Sequence, residues 1–373
     1  MPQKTPDVVV IGAGIIGSAL ARELAAARLG VVVVERDTPG AGASGAAAGI
    51  LSPQAEADAT SPLLDLCLES RAIFPRLVEE LRAETGIEVP YRTTGTLYLA
   101  LDDEEEARLE RRFAWQTSAG LPVERLSAGR VLTLEPALAA GARIALRFPY
   151  DHQIDNVVLT RALAASAEAR GARFVKGTEV RAVLEEGGRV AGVALASGEI
   201  RAPRVVNCAG AWAAQINGAG PRLPIEPVRG QMLALEHEEL RLDRVIFTER
   251  GYLVPRLDGR ILVGSTMERV GHDARPTLAG TASLLALARQ VAPGLENATI
   301  HGLWAGLRPA APDGLPVLGP AGAAWPSGLY FATGHYRNGV LLAPITARLL
   351  TESITTGKTS IALAPFAASR FAV

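Results

Sequence analysis

Two continuous apolar runs near the start of the chain predict buried parallel strands. Residues 7–11 and 31–35 are made almost entirely of valine and isoleucine, which is typical of strands covered on both faces. Between them, residues 15–28 place apolar side chains at helical spacing and lead into Leu29-Gly30, where glycine suits the end of a helix. The order strand, helix, strand therefore predicts a βαβ unit.

The rest of the chain alternates between helical and strand patterns. Helical spacing covers 62–85, 102–119, 155–171 and 277–292, and strand patterns cover 95–101, 173–186, 189–196, 204–210, 224–267 and 328–334. Gly187-Gly188 predicts a turn between two antiparallel strands. Because βαβ features occur at the start, middle and end with strand-rich segments between them, we predict an α/β chain of two interleaved domains, each built from non-contiguous segments.

Composition and charge exclude several classes of protein. The 373 residues are 48% hydrophobic and 21% charged, enough for two or three folded domains and too apolar for disorder. The 38 basic and 39 acidic side chains give a net charge of −1, which provides no field for nucleic acid. No apolar run reaches 18 residues, so we expect no transmembrane segment, although a peripheral membrane contact stays open. Two cysteines without a C-x-x-C pattern indicate a reducing compartment, which we take to be the cytoplasm.

A glycine fingerprint follows the first predicted strand. Gly12-Ala-Gly14-Ile-Ile-Gly17 matches G-x-G-x-x-G between a strand and a helix, and Glu35 ends the next strand. In this pattern the glycines admit a pyrophosphate at the helix N-terminus, and the acid binds a ribose hydroxyl. The sequence therefore predicts a dinucleotide site. Two later apolar strands, 204–210 and 328–334, each end in glycine and are expected to join the same sheet. A large cofactor held between several segments favours FAD, but NAD is not excluded.

Three further features point to chemistry, each with a structural alternative. The small-residue segment Gly42–Gly49 suits a backbone lying against a flat ring or a pyrophosphate, or is simply a loop. Arg308 and Arg337 lie in apolar, glycine-rich stretches, where an unpaired guanidinium is costly. Arg308 therefore either captures a carboxylate ligand or pairs within the protein with a residue such as Asp313. The five histidines lack metal-ligand spacing, so no metal site is predicted.

Six segments together resemble the D-amino-acid oxidase superfamily of flavoproteins, and within it the glycine oxidases of thiamine biosynthesis. They are Asp7–Gly17 with Glu35, Ser44–Gly49, Gly251–Arg256, Gly264–Met267, Trp304–Pro309 and Gly334–Pro344. The resemblance implies non-covalent FAD and a Rossmann-like FAD-binding domain interleaved with an antiparallel-sheet substrate domain. We expect the first to comprise 1–88, 149–222 and 303–373, and the second 89–148 and 223–302.

The resemblance also implies site residues. Arg308 would bind the substrate carboxylate, Tyr252 would add a hydroxyl, and Arg337 would lie beside flavin and substrate. Glu56, Met267 and Ile50 would line the pocket or its entrance. The implied FAD contacts are Gly12, Gly14, Ile15, Ile16, Gly17, Glu35, Arg36, Ala43, Ser44, Ala48, Gly49, Ile50, Val180, Gly210, Gly334, His335, Tyr336, Arg337, Asn338, Gly339, Val340 and Leu341. Two positions depart from the family pattern, Ile50 in place of methionine and Arg250 in a stretch that otherwise carries histidine.

The activity implied by the resemblance is oxidative deamination of glycine and other small amines, with oxygen as acceptor, in a homotetramer. Hydride transfer from the substrate Cα to flavin N5 would lead to glyoxylate, ammonia and hydrogen peroxide. A sarcosine oxidase or D-amino-acid dehydrogenase of the same superfamily is the alternative. A flavin hydroxylase is disfavoured because residues 332–337 lack the Gly-Asp motif of those enzymes. A flavin-holding interaction module or an RNA-modifying flavoprotein is the alternative from another class.

Overall fold

The computed structural model describes residues 5–218 and 220–371. The ends of the predicted FAD-binding segments, at 1–4 and 372–373, and residue 219 lie outside this part of the chain. The strands are β1 (Val8–Ile11), β2 (Val31–Val34), β3 (Ile50–Leu51), β4 (Tyr91–Arg92), β5 (Thr96–Ala100), β6 (Glu124–Ser127), β7 (Ile144–Phe148), β8 (His152–Ile154), β9 (Arg173–Val175), β10 (Val180–Glu186), β11 (Arg189–Leu195), β12 (Gly198–Arg201), β13 (Val205–Asn207), β14 (Glu226–Glu236), β15 (Val245–Thr248), β16 (Gly251–Pro255), β17 (Arg260–Gly264), β18 (Thr299–Ala310), β19 (Val317–Pro320) and β20 (Leu329–Thr333). The helices are α1 (Ile15–Ala26), α2 (Ala43–Ala46), α3 (Pro53–Glu56), α4 (Pro62–Arg71), α5 (Phe74–Thr85), α6 (Asp103–Ser118), α7 (Ala128–Leu134), α8 (Asn156–Ala169), α9 (Leu278–Val291) and α10 (Ala343–Thr356).

A six-stranded sheet contains the predicted βαβ unit. Its order is β19-β20-β13-β1-β2-β9, parallel except for the antiparallel pair β19–β20. Alternate side chains of β1 enter different cores: Val8 and Val10 pack with α1, α8 and α10, whereas Val9 and Ile11 pack with β10 and β11. Both faces are covered, which explains the unbroken apolar runs in the sequence.

The second large sheet has eight strands in the order β18-β14-β17-β16-β15-β5-β7-β6. All of its pairings are antiparallel except β15 with β5. The predicted mixture of a parallel α/β sheet and an antiparallel sheet is therefore confirmed. The predicted FAD-binding segments supply every strand of the six-stranded sheet, but residues 303–310 lie in β18 of the eight-stranded sheet.

Three local expectations differ from the structure. The single helix over 62–85 is two helices, α4 and α5, because Pro75 lies in the first turn of α5 and its ring cannot follow a continuing helix. The strand at 173–186 is divided into β9 and β10, which join different sheets, and Gly177 (φ 66°) lies between them. The sequence pattern predicts no strand over 299–310, although Trp304–Pro309 belong to a motif that carries the resemblance, but these residues form β18. No helix in the described ranges is long and apolar enough to cross a membrane.

A buried ion-pair cluster ties helices α1, α5 and α8 together. Arg22 on α1 is 2% exposed and bonds to Glu80 and Glu84 on α5. Glu84 also accepts hydrogen bonds from Ser166 and Arg170 at the end of α8. Partial burial alone raises the pKa of Glu84, but hydrogen bonds from Arg170, Arg22 and Ser166 outweigh it and hold that pKa at about 2.

Replacing Glu84 by glutamine tests this cluster. Glu84→Gln leaves Arg22 buried without its shared carboxylate, and we expect the free energy of unfolding at pH 7 to fall by about 2 kcal/mol. The depressed folded-state pKa makes this stabilisation fully present above the ordinary value of 4.5 and lost as the pH falls towards 2. Urea unfolding at pH 7 and pH 3 measures both. The exposed Glu79 on the same helix is the control, and equal losses for Glu79→Gln and Glu84→Gln would contradict the assignment.

Candidate active site

One continuous cavity joins the carboxyl ends of β1 and β2 to a face of the eight-stranded sheet. Most of the residues predicted for the site line it: Gly12, Gly14, Ile15, Ile16, Glu35, Arg36, Ala43, Ser44, Ala48, Gly49, Ile50, Glu56, Val180, Gly210, Tyr252, Arg308, His335, Tyr336, Arg337, Asn338, Gly339 and Val340. Gly17, Gly334 and Leu341 do not line it. Met267 lines an adjoining outer vestibule that shares Glu56, Tyr252 and Arg308 with the cavity.

At the glycine fingerprint, backbone segments approach too closely to leave room for side chains. A Cβ at Gly12 would lie 2.8 Å from the carbonyl oxygen of Cys208, and one at Gly17 would lie 2.0 Å from the carbonyl oxygen of Gly12. Gly17 therefore packs α1 against the loop. Helix α1 begins next to the cavity without an N-terminal side-chain cap, although the amide of Ile15 donates to Ser44 Oγ at 2.9 Å. This helix end suits an anionic group.

Glu35 is held in place at the end of β2. Its two oxygens accept hydrogen bonds from the amides of Ala13, at 2.7 Å, and Asp37, at 2.9 Å. The carboxylate lines the cavity beside the fingerprint, the position in which an acid binds ribose hydroxyls.

Arg36 makes a contact that no local sequence pattern indicates. Its guanidinium carbon lies 3.6 Å from the centroid of the Trp212 ring, and both residues line the cavity. The Trp212 ring also contacts His272, with ring centroids 5.5 Å apart. Trp212 therefore orients Arg36 through a cation–π contact.

The segment Gly334–Leu341 forms another wall. His335 is buried and its Nε2 lies 3.0 Å from Thr346 Oγ1; burial lowers its pKa to about 3, so the imidazole is neutral at pH 7. Gly334 (φ 73°) ends β20 in the left-handed region, where glycine is favoured. Leu341 lies in the core and accepts a hydrogen bond from Ser70 through its carbonyl.

Arg308 lies on the sheet surface beside a glycine, which leaves room for its guanidinium. It pairs with Val228 across β14 and β18, so the diagonal position on the same face is Gly230. A Cβ at Gly230 would lie 2.2 Å from both terminal nitrogens of Arg308. The guanidinium donates to the Thr266 carbonyl at 3.2 Å and Ser265 Oγ at 2.5 Å.

The charge of Arg308 is not balanced by a carboxylate of the described chain. The predicted alternative partner Asp313 instead bonds to Arg370, at 2.7 Å. Arg308 therefore keeps donors and a net positive charge for a ligand, as carboxylate capture requires.

Tyr252 and Arg337 complete this end of the cavity. The Tyr252 hydroxyl lies 3.6 Å from Met232 Sδ. Arg337 donates to Glu56 Oε1 at 3.1 Å, and the negative charge of Glu56 raises the pKa of Arg337. Met267 lies at the outer edge, with its sulfur 3.4 Å from the Tyr336 hydroxyl.

Buried polar groups fix the short helix α3, which carries Glu56. Asp151, which is fully buried, accepts hydrogen bonds from the amides of Gln54 and Ala55 at 3.0 and 2.9 Å. Arg71 donates to its other oxygen at 2.6 Å. Burial raises the pKa of Asp151 to about 7 although Arg71 opposes the shift.

Comparison with known proteins identifies the family. The FAD dependent oxidoreductase family, DAO, matches residues 7–353. The chain belongs to this family. It is 38% identical over 368 residues to a glycine oxidase of Geobacillus kaustophilus, covering 98% of this chain and 97% of that protein. A crystal structure of glycine oxidase from the same species superposes with a TM-score of 0.94 at 36% identity, over 99% of each chain.

A third relative is longer than this chain. The bifunctional protein ThiO/ThiG of Trichormus variabilis is 38% identical over 371 residues, which cover 98% of this chain and 55% of that protein.

The cavity fits the FAD that defines the family. The glycine backbone at Gly12 and Gly14, the N-terminus of α1 and Glu35, which the Ala13 and Asp37 amides hold in place, form an arrangement suited to a pyrophosphate and a ribose. Among the described residues, no cluster of three or more histidine, cysteine, aspartate or glutamate side chains could hold a metal ion.

Sequence reasoning missed the residues that shape the site from a distance. Trp212, Gly230 and Asp151 belong to no motif, and their partners lie far away in the chain. One usable signal was Gly230, because a glycine inside an apolar strand often marks the close approach of another group.

Removing the Trp212 ring tests the FAD end of the cavity. Without it Arg36 loses its cation–π partner, and we expect Trp212→Ala to raise the Kd of the apoprotein for FAD about three- to thirty-fold. Quenching of flavin fluorescence measures it. Trp212→Phe retains an aromatic face and should bind FAD close to the original affinity. Equal affinity for FAD in the alanine variant and the original protein would contradict this role.

Proposed function

We propose that the protein oxidises glycine and other small amines, such as sarcosine and small D-amino acids, with FAD and oxygen, forming glyoxylate, ammonia and hydrogen peroxide. The observation that carries this proposal is Arg308. Its guanidinium lines the same cavity as Gly12 and Gly14, and among the described residues it has no carboxylate partner. A substrate with a carboxylate next to the reacting carbon would supply the missing charge.

The residues act by binding and orientation. Arg308 would hold the substrate carboxylate, and Tyr252 would donate its hydroxyl to the same group. Ser265 and the Thr266 carbonyl keep the guanidinium in place. When bound, FAD supplies the hydride acceptor for the substrate Cα and passes the electrons to oxygen. Arg337, paired with Glu56, would contact both flavin and substrate.

Similarity to the glycine oxidase of Geobacillus kaustophilus over nearly the whole chain supports the same substrate. The family resemblance and the similarity to a bifunctional ThiO/ThiG protein support a place in thiamine biosynthesis. We further propose that 1–88, 149–222 and the part of 303–373 after Ala310 bind FAD, and that 89–148, 223–302 and β18 bind substrate. A cytoplasmic homotetramer is the expected assembly, which light scattering after size-exclusion chromatography would test.

Anaerobic reduction by glycine tests the proposed function. The FAD-loaded protein should lose its oxidised flavin absorption when glycine is added without oxygen. Admitting air should restore the colour with release of hydrogen peroxide. Reoxidation that requires another acceptor would indicate a dehydrogenase, and reduction by sarcosine or a D-amino acid alone would change the substrate. A flavin that no amino compound reduces would contradict the proposal.

Two variants test the carboxylate site independently. Arg308→Ala removes the guanidinium and should raise KM for glycine by orders of magnitude, with FAD binding unchanged. Gly230→Ala keeps Arg308 but places a methyl group where the guanidinium lies, so it should also raise KM.

Gly302→Ala is the control for Gly230→Ala, because a Cβ at Gly302 meets nothing closer than 3.9 Å. It should behave like the original protein. Unchanged KM in Arg308→Ala would exclude Arg308 as the carboxylate site.

A further inference from the structure

We propose that Glu56 binds the amino group of the substrate and accepts its proton, so that Arg308 and Glu56 hold an amino acid at its two ionic ends. This inference rests on the proposed function and deepens it. It assigns to Glu56 the recognition and deprotonation of the substrate amine, a role that the proposed function leaves open.

Glu56 has one oxygen occupied and one available. Its Oε1 accepts from Arg337 at 3.1 Å, and among the described residues no donor bonds to Oε2. The side chain is 21% exposed. Glu56 lines both the inner cavity and the outer vestibule. The free oxygen is therefore open to a ligand in the cavity that Arg308 also lines, and to water in the vestibule.

Other carboxylates lie in the wrong part of the cavity for this role. Three of them border only the inner cavity: Glu35, Asp37 and Glu179. Another three border only the outer vestibule: Asp58, Glu105 and Glu249. Within the described lining, Glu56 is the carboxylate that borders both, as Arg308 and Tyr252 do. For a substrate ammonium group in the space where the cavity and the vestibule meet, Glu56 is therefore the carboxylate we assign as its partner.

Hydrogen bonds from neighbouring elements fix the backbone around Glu56. Asp151 binds the amides of Gln54 and Ala55 at the start of α3. Arg112 donates to the Ala55 carbonyl at 2.6 Å. Arg337 holds the carboxylate itself. Because the group is already oriented, little conformational entropy is lost when a ligand binds to Oε2.

The reaction needs a proton acceptor at this place. An amino acid arrives with a protonated nitrogen, and hydride cannot leave the carbon beside an ammonium group. In the proposed step, an N–H bond of the substrate breaks and an O–H bond forms on Glu56 Oε2, leaving a neutral amine. The proton then passes to water in the vestibule and the carboxylate is restored, so that a proton alone has moved.

Replacing Glu56 by glutamine separates amine recognition from carboxylate recognition. In the FAD-loaded protein, Glu56→Gln should raise KM for glycine about ten-fold or more, the size of a lost charge-assisted hydrogen bond. The inhibition constant of glycolate, which has the carboxylate but no amine, should change less than about two-fold or become tighter. The kcat/KM of the variant should keep rising with pH until the free amine predominates in solution, whereas that of the original protein should level off at lower pH.

Glu249→Gln is the matched control, because it removes the same charge from the wall of the outer vestibule, where Glu249 pairs with Arg108. It should leave KM, glycolate inhibition and the pH profile unchanged. Glu56→Asp, with a shorter side chain, should raise KM and keep the pH profile of the original protein.

Several results would overturn the inference. Loss of glycine and glycolate binding together in Glu56→Gln would show that Glu56 merely maintains the site around Arg337. An unchanged pH profile would exclude proton acceptance. If the original protein oxidises another amino acid or a secondary amine in place of glycine, KM for that substrate is compared between Glu56→Gln and the original protein in the same way. If no amino compound reduces the original protein, the proposed function and this inference both fail.

Discussion

The position of the Arg308 guanidinium depends on the register in which β14 and β18 pair. The register that opposes Arg308 to Val228 places Gly230 under the guanidinium and Gly306 beside it. A Cβ at Gly306 would lie 2.5 Å from the Ala46 Cβ, so this glycine lets the α2 segment approach the same sheet face. A one-residue slip would turn Arg308 away from the cavity, because alternate side chains of a strand face opposite sides. Backbone geometry therefore determines where the guanidinium of Arg308 lies.

The FAD end of the cavity is built by a different kind of close contact. Gly12 and Gly17 bring the first loop, α1 and the end of β13 to distances that side chains would prevent. The helix terminus and Glu35 then face the cavity from one sheet, and Arg308, Tyr252 and Met232 face it from the other. Asn156 links the two parts, donating to the Ser44 carbonyl at 2.7 Å and accepting from Arg256 at 2.8 Å. The proposed FAD contacts and the proposed substrate contacts thereby lie on separate sheets around one space.

Local sequence patterns predicted the elements whose causes are local. The βαβ unit, the strands returning near 204–210 and 328–334, and helices α6, α8 and α9 follow from periodicity and glycine placement. The break between α4 and α5 required attention to Pro75. Long-range partners were beyond such patterns: nothing near Arg36 indicates Trp212, and nothing near Glu56 indicates Asp151. Arg308 was a candidate carboxylate-binding residue from its own surroundings, and the resemblance added Glu56. That Asp313 is not the partner of Arg308 became visible only in the structure, where Asp313 bonds to Arg370.

A crystal structure of the FAD-loaded protein with glycolate tests the central claim most directly. Glycolate carries the carboxylate of glycine and a hydroxyl in place of the amine, so its two ends report on the two polar groups separately. We expect the carboxylate of glycolate on the Arg308 guanidinium, and its hydroxyl on the side of the cavity that Glu56 borders, without a hydrogen bond to the Glu56 carboxylate. Glycolate bound with its carboxylate on Arg337, or with Arg308 turned to a protein carboxylate, would contradict it.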